Sequence, residues 1–147
     1  MSDERLLRSV QRLASALSKM ERQAAAENGV SVSQMRVLLA LGQDGAGGVR
    51  ISDLAEDQGL AVSTMTRNLA GLERKGWIER RPGESDRRTV SVHLTDSGRQ
   101  VAGNLGETNV ARFGRAFGTF HPSDRVERAV ALDRVAAAIE KSDEDGA

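Results

Sequence analysis

The sequence predicts a mainly α-helical fold that carries one small β-hairpin. Apolar residues recur at helical spacing through most of the chain, and two short helical segments are joined by a four-residue turn at positions 59–62. The pattern then changes to alternation over positions 77–94, which is typical of paired strands. Two short helices joined by a tight turn form a helix-turn-helix. A hairpin directly after them makes the predicted fold a winged helix-turn-helix with a two-stranded β-wing.

The composition is that of a globular protein with one ordinary core. The chain has 147 residues, of which 39% are hydrophobic and 29% charged. No apolar run approaches the roughly 20 residues of a membrane helix, and the charged, amphipathic start lacks the apolar core of a signal peptide. The absence of cysteine excludes disulfides, thiolate metal sites and cysteine redox switches. We therefore expect a cytoplasmic protein.

The charge distribution is uneven although Lys+Arg and Asp+Glu each number 21. Positions 63–88 hold seven basic and four acidic residues, a net charge of +3, and positions 121–147 hold four basic and seven acidic residues, a net charge of −3. A locally basic middle can face an anion within a neutral chain. Charge alone leaves chance clustering open as the alternative.

The first helix carries an apolar stripe at alternating steps of four and three residues over about five turns. This spacing suits either a core helix or helix pairing between subunits. The stripe comprises Leu6, Val10, Leu13, Leu17 and Met20. Ser31 and Gln34 have the spacing of a capping box, which predicts the start of a second helix. The buried face of that helix is predicted to comprise Met35, Leu38, Leu39 and Leu41.

A glycine-rich connection over positions 42–52 leads to the helix-turn-helix. It lacks the Gly-Lys-Ser/Thr ending of a phosphate-binding loop, so we interpret it as a flexible turn that ends in a short β-like piece. Ser52 can cap the first helix, which Gly59 closes. Ser63 can cap the second helix, and Gly76 suits the left-handed residue just past its end. The buried face of the second helix should comprise Met65, Leu69 and Leu72.

The β-wing follows directly. Val90, Val92 and Leu94 alternate onto one face, and Pro82 and Gly83 lie in the turn between the two strands. We expect Trp77, just before the first strand, to pack into the core at the hinge.

Two further helices are predicted after the wing. Thr95 can cap the first, but four interior glycines each cost about 1 kcal/mol against alanine and leave its continuity open. The segment 121–123 should break the chain and start the last helix, and the acidic segment 141–147 should be a frayed tail. The glycines are Gly98, Gly103, Gly106 and Gly114, and the expected apolar contacts of the last helix are Val126, Val130, Val135 and Ile139.

The second helix of a helix-turn-helix lies in the major groove of DNA, where its N-terminal residues reach base edges. If the apolar face points inward, the residues expected to face outward are Thr64, Arg67, Asn68 and Gly71. Arginine can bond guanine, asparagine can bond adenine, and glycine lets the helix approach the DNA backbone. The alternative is a solvated helix face that is rich in small polar residues.

The wing tip is unusually cationic for a solubilising loop, which is the alternative interpretation. Arg87 or Arg88 could enter the narrow, electronegative minor groove beside the major-groove helix. We expect Asp86 to hold Arg88 through an ion pair, and Arg80 and Arg81 to face phosphates from the strand.

Together these segments resemble the MarR family of bacterial transcription regulators. The resemblance lies in the helix with Leu54-Ala55, the segment 63–78, the Asp-Arg-Arg at 86–88 and the pattern Leu94-Thr95-x-x-Gly98. That core covers about a third of the chain, and the flanking helices fit the family's plan. By position, the DNA-binding residues would be Ser63, Thr64, Thr66, Arg67, Asn68, Asp86, Arg87 and Arg88, with Arg80 and Arg81 added from the strand.

The resemblance implies a homodimer that binds double-stranded DNA at an inverted repeat, with half-sites about one helical turn apart. It implies a dimerisation helix at 1–30, a DNA-binding domain at 31–98 and dimerisation helices with a short acidic tail at 99–147. It also implies a repressor that a small aromatic or phenolic ligand releases from DNA. A winged-helix module that binds protein instead of DNA is the alternative.

Other residues suggest further chemistry less strongly. Phe113, Phe117 and Phe120 have helical spacing, which favours a core or dimer interface over an effector pocket. The two histidines, His93 and His121, are far apart, so we expect no metal site. We expect no cofactor and, because no catalytic motif is present, no enzyme activity.

Overall fold

The structure is a computed structural model that describes residues 2–43, 47–83 and 85–146. The predicted order of elements is confirmed, and the short β-like piece predicted before the helix-turn-helix is a two-residue strand. The elements are α1 (Ser2–Glu27), α2 (Val32–Gln43), β1 (Val49–Arg50), α3 (Ile51–Asp57), α4 (Val62–Arg74), β2 (Ile78–Pro82), β3 (Val90–Leu94), α5 (Asp96–Phe117) and α6 (Pro122–Asp145). The chain divides into two compact units, residues 1–107 and 108–147.

The wing is the two-stranded hairpin β2–β3, and β1 joins it to make a three-stranded antiparallel sheet in the order β1-β3-β2. Val49 pairs with Val92, and Ile78 pairs with Leu94. Gly48 adopts a left-handed φ of 69°, and a Cβ atom there would overlap the ring of His93. Glycine is therefore what lets the chain approach β3. Part of the glycine-rich connection, positions 44–46, lies outside the described residues.

The core of the first unit lies between α2, α3, α4 and the sheet. Met65, Leu69 and Leu72 of α4 are fully buried, as predicted. Val37 is also fully buried on α2, whereas Leu39 is only partly buried, so the predicted face of α2 was correct except for these two positions. The buried residues of the unit include Met35, Val37, Leu38, Leu41, Ile51, Leu54, Ala55, Ile78, Val92, Leu94, Ala102 and Leu105. Trp77 packs against this core, with the Lys75 ammonium 4.8 Å from its ring centroid.

Two of the predicted helix caps are confirmed. The Gln34 N–H donates to Ser31 Oγ (3.1 Å) while the Ser31 N–H donates to Gln34 Oε1 (3.0 Å), which completes the capping box. The Gly98 N–H donates to Thr95 Oγ1 (3.0 Å) at the start of α5. Gly59 and Gly76 have positive φ angles of 63° and 73°, as expected for residues that end helices.

The predicted caps at Ser52 and Ser63 are wrong. Helix α3 begins at Ile51 and helix α4 at Val62, with Arg50 and Ala61 in extended conformation at the N-cap positions. Each serine therefore lies inside the first turn of its helix instead of before it. Neither helix start has a side-chain cap hydrogen bond.

Helix α1 is seven turns long rather than five. Of its described residues, Ala24 and Ala25 are the buried ones, so the apolar stripe from Leu6 to Met20 does not belong to the core and the core alternative is wrong. Arg36 of α2 holds α1 through Glu21, with its Nη2 2.7 Å from Oε2, and this hydrogen bond raises the pKa of Arg36 above its ordinary value.

Helix α5 is continuous through all four glycines, which answers the question that the sequence left open. Helix α6 extends to Asp145, so the expected frayed tail at 141–147 is helical as far as that residue. Within Pro122–Asp145 none of the side chains is buried. Val126, Val130 and Ile139, for which apolar contacts were expected, are largely exposed. Across the described ranges, no helix is both long and apolar enough to cross a membrane.

Gly98 and Gly103 provide a matched test of the packing between α5 and the backbone just before β2. A Cβ atom at Gly98 would overlap the backbone carbonyl of Trp77, whereas a Cβ atom at Gly103 would meet nothing within 4 Å. Gly98→Ala should lower the free energy of unfolding by about 2 kcal/mol or more, because backbone must move. Gly103→Ala should raise it by up to about 1 kcal/mol through helix propensity. Urea unfolding of both variants checks this, and equal effects would contradict the packing.

Candidate nucleic-acid interface

Helix α4 is held by its buried face, and this fixes which residues point away. Arg67 lies opposite that face and is exposed, as is Ser63 in the first turn. Thr64 and Thr66 are half-buried at the borders. The turn before α4 is closed by backbone bonds, including the Leu60 N–H to the Ala55 carbonyl (2.9 Å). Ser63, Thr64 and Arg67 therefore offer two hydroxyls and a guanidinium at the N-terminal half of α4.

Asn68 and Gly71 do not face outward, which corrects the sequence prediction. Asn68 Nδ2 donates to Ser33 Oγ of α2 (2.9 Å), and Gln34 Nε2 donates to the Asn68 carbonyl (3.0 Å). A Cβ atom at Gly71 would lie 2.5 Å from Gln34 Nε2. The reason is helical spacing, because Asn68 lies one turn from the buried Leu72 and so borders the packed face. Gly71 makes room for a glutamine of the same chain.

The two arginines of β2 point to opposite sides of the sheet. Arg80 shares the inner face with buried Ile78, and its Nε lies 3.2 Å from Glu73 Oε2 while its Nη2 donates to the Thr66 carbonyl (3.2 Å). Arg80 therefore ties β2 to α4, whereas the expectation was that it faces a phosphate. Arg81 lies on the outer face and pairs with Glu79.

The wing turn is organised by Asp86, but not through the predicted ion pair. Its Oδ1 accepts from the backbone N–H of Arg88 (3.0 Å), and its carbonyl accepts from Thr89 Oγ1 (2.7 Å). The Gly83 N–H donates to the Thr89 carbonyl (2.8 Å) and closes the turn. A two-residue separation favours this Asx turn. Arg87 and Arg88 at the tip of this turn are both exposed.

The wing and the N-terminal ends of α3 and α4 form a concave surface, which encloses a pocket of about 420 Å³. Sequence reasoning did not identify several of its residues as functional, most notably exposed Arg50 at the end of β1, together with Ser52 and Val62. A basic residue immediately before the first helix of a helix-turn-helix is the signal that could have indicated Arg50. The residues that line this concave surface are Arg50, Ile51, Ser52, Val62, Thr66, Arg80, Arg88, Thr89 and Val90.

A second cavity of about 670 Å³ lies between α2, the end of β3 and the first half of α5. Its walls are mostly apolar, Arg99 stands among them, and Gly103 and Gly106 leave space that side chains would otherwise fill. We call it the α2–α5 cavity. Its lining comprises Leu39, Leu41, Gly42, Gln43, Leu94, Arg99, Ala102, Gly103 and Gly106.

The three phenylalanines pack against one another in the second unit. The ring centroids of Phe113 and Phe117 are 5.8 Å apart in parallel planes, and Phe120 is 6.0 Å from Phe117. The Arg128 guanidinium lies 4.3 Å from the Phe120 centroid. This packing joins α5 to α6 and favours the structural interpretation of the stripe.

The histidines have local structural partners. His93 Nε2 lies 2.9 Å from Ser91 Oγ, and His121 Nδ1 accepts from the Ser123 N–H at the start of α6 (3.4 Å). Within residues 2–43, 47–83 and 85–146, no group of three or more His, Cys, Asp or Glu side chains could hold a metal ion.

The chain matches known proteins in both sequence and fold. The MarR family model matches residues 30–90. The uncharacterised HTH-type transcriptional regulator YfiV of Bacillus subtilis is 30% identical over 113 residues, which cover 77% of this chain and 69% of that protein. The transcriptional repressor MprA of Escherichia coli K12 is 31% identical over 72 residues, covering 49% of this chain but only 41% of MprA.

Among solved structures, FabT of Streptococcus pneumoniae in complex with DNA is similar with a TM-score of 0.69 and 22% identity. The match covers 90% of this chain and 98% of FabT, and it establishes the fold. The extent of the similarity to YfiV, together with the family model, settles the classification. The chain belongs to the MarR family of winged-helix transcriptional regulators.

Proposed function

We propose that the protein is a sequence-specific repressor that binds an inverted-repeat operator in duplex DNA as a homodimer and is released by a small aromatic or phenolic ligand. The concave surface carries the proposal, because it brings the N-terminal end of the major-groove helix and the arginine-bearing wing to one side of the first unit. FabT, which has the same fold, was solved with DNA, and MprA is named a repressor.

Each part of the concave surface and its rim suits one feature of DNA. Arg67, with Ser63 and Thr64, is placed to reach base edges from the first turns of α4. Arg88 and Arg87 extend from the wing toward the flanking minor groove, where a guanidinium is favoured. Arg50 can neutralise a phosphate beside the N-terminus of α3. Exposed Val62 and Val90 offer apolar contact to sugars or thymine methyl groups.

The DNA-binding proposal predicts different losses for Arg88→Ala and for an arginine outside the surface. Fluorescence anisotropy would compare a duplex from the promoter of its own gene with a scrambled duplex at several salt concentrations. Arg88→Ala should weaken promoter binding by about tenfold or more and reduce the salt slope by about two, because the proposed homodimer carries Arg88 on both wings. Arg8→Ala, which removes the same charge from an exposed pair with Glu4 on α1, should leave binding at the parental level.

Equal promoter binding by the parent and Arg88→Ala would refute the role of the wing. Equal binding of the parent to both duplexes would refute sequence specificity at that site. Absence of DNA binding at low salt would favour the alternative function, a protein-interaction module, in which exposed Val62 (52%) and Val90 (37%) would serve as the anchors.

The homodimer is supported by apolar surface that the single chain leaves uncovered. On α6, Val126 and Val130 are 67% and 46% exposed, and Leu132 and Ile139 lie on other sides of the same helix. On α1, the apolar stripe is exposed or only half-buried. A helix that is apolar on several sides is normally covered by other helices. We therefore assign α1 and residues 99–147 to dimerisation, and residues 31–98 to DNA binding.

Val130→Glu tests the dimer interface on α6. A carboxylate buried at an apolar interface should raise the dimer dissociation constant by about a hundredfold or more. Ser142→Glu adds the same charge to the same helix at an exposed polar position and should not do so. Analytical ultracentrifugation measures both constants. A parent protein that sediments as a monomer at micromolar concentration would contradict the proposal.

The α2–α5 cavity is the site we propose for the ligand. Its volume suits a small aromatic molecule, its walls are mostly apolar, and the Arg99 guanidinium could bond a phenolate or carboxylate. Arg99 currently donates to the Leu94 carbonyl (3.1 Å) and pairs with Asp96, so a ligand would compete with the contacts that join β3 to α5.

Filling the cavity should abolish the response to ligand while preserving the fold. Gly103→Leu places a side chain into the open space of the cavity, and Gly103→Ala adds a single methyl group as the control. A panel of substituted phenols and benzoates would be screened for release of the parent from operator DNA by anisotropy. The compound that releases the parent should fail with Gly103→Leu and retain most of its effect with Gly103→Ala. Equal release of all three proteins would exclude this cavity.

A further inference from the structure

A cluster of hydrogen-bonded polar side chains joins α2 and α3 to the major-groove helix. It comprises Ser33 and Gln34 of α2, Gln58 at the end of α3, and Asn68 of α4, and we call it the Ser33 cluster. All four residues are only partly exposed. Each has a partner on another helix, so the cluster connects elements that are far apart in sequence.

The Ser33 hydroxyl is the centre of the cluster. It donates its single proton to Gln58 Oε1 (2.6 Å) and accepts from Asn68 Nδ2 (2.9 Å). Gln58 Nε2 donates back to the Ser33 carbonyl (3.2 Å), so serine and glutamine bind each other twice. Because the Ser33 hydroxyl donates its proton to Gln58, it can only accept a hydrogen bond from α4. This requires the Asn68 side chain to turn its NH₂ group toward α2.

The backbone of α4 is held by the same segment of α2. Gln34 Nε2 donates to the Asn68 carbonyl (3.0 Å), and Gly71 makes room for that amide. At the end of the helix, Lys75 Nζ donates to the Gly29 carbonyl (3.1 Å). The apolar face fixes the distance of α4 from the core, whereas these directional bonds oppose rotation about the helix axis and sliding along it.

We propose that Asn68, Ser33 and Gln58 are positioning residues that set the rotation of α4, and that DNA specificity depends on them although Ser33 and Gln58 lie outside that helix. Asn68 directly follows Arg67, so a turn of α4 that breaks the bond to Ser33 also moves the Arg67 guanidinium across the base edges. On this view Asn68 does not read adenine, and discrimination comes from Arg67 and the hydroxyls beside it. The inference rests on the proposed DNA-binding function.

The test measures the ratio of operator affinity to scrambled-duplex affinity for Ser33→Ala, Asn68→Ala and the double variant. Each single variant should lower the ratio by roughly three- to tenfold, as expected for a lost hydrogen bond. The double variant should lower it no further, because both changes remove the same bond. The salt slope should stay at the parental value. Ser97→Ala, an exposed serine on α5, is the matched control and should keep the parental ratio.

A base-by-base scan of the operator separates positioning from direct reading. If α4 is positioned by the cluster, Ser33→Ala and Asn68→Ala should relax the same set of operator positions. If Asn68→Ala relaxes one A·T position that Ser33→Ala leaves intact, Asn68 reads that base and the proposal fails. Additive losses in the double variant would also overturn it.

Gln58→Met keeps the test decisive if Ser33→Ala does not fold. It removes both glutamine bonds with a side chain of similar length and leaves the Ser33 hydroxyl free to rotate away from Asn68, so it should lower the ratio in the same direction as Ser33→Ala. A parental ratio in a folded Gln58→Met protein would contradict the proposal. If the parent binds both duplexes equally, the proposed function fails. If the parent discriminates between the duplexes and the variants discriminate equally well, the proposed function stands and the positioning proposal fails.

Discussion

The burial of one face of α4 is the constraint on which the rest of the first unit depends. Met65, Leu69 and Leu72 are fully buried, and each contributes about 1.5–3 kcal/mol relative to an exposed side chain. Because an α-helix repeats every 3.6 residues, fixing this face inward directs Arg67 outward. The wing then follows from the same helix, since Arg80 of β2 bonds the Thr66 carbonyl and pairs with Glu73.

Helix α2 contacts the core, the helix α4 and the α2–α5 cavity. Its buried residues Met35 and Leu38 belong to the core that holds α4, its N-terminal Ser33 bonds α4 through the Ser33 cluster, and its last turn lines the α2–α5 cavity. A displacement of α2 would therefore reach both the cavity and the orientation of Arg67. This gives the proposed ligand a physical route to the DNA-binding surface that requires no unfolding, only a small shift of one packed helix.

The sequence allowed the elements to be predicted because their signals are local. Helical periodicity, the Ser31–Gln34 capping box and the alternation of the wing each involve residues that are close together in the sequence. The Ser33–Gln58 and Ser33–Asn68 bonds join residues 25 and 35 positions apart, and no local pattern marks them. Asn68 was misplaced because it borders the packed face, where periodicity does not decide orientation. Strand β1 was predicted as a short β-like piece, but its pairing with β3 is long-range and was not predicted.

The same contrast between local and long-range order applies to α6. This helix has 24 residues and, in the single chain, no buried side chain within Pro122–Asp145, so its packing supplies little of the apolar burial that usually stabilises helices in proteins. Phe120, which lies between the two helices, contacts Phe117 of α5 and Arg128 of α6. In the proposed dimer, the partner would supply the missing burial. Dimerisation would then stabilise α6 as well as pair two DNA-binding domains.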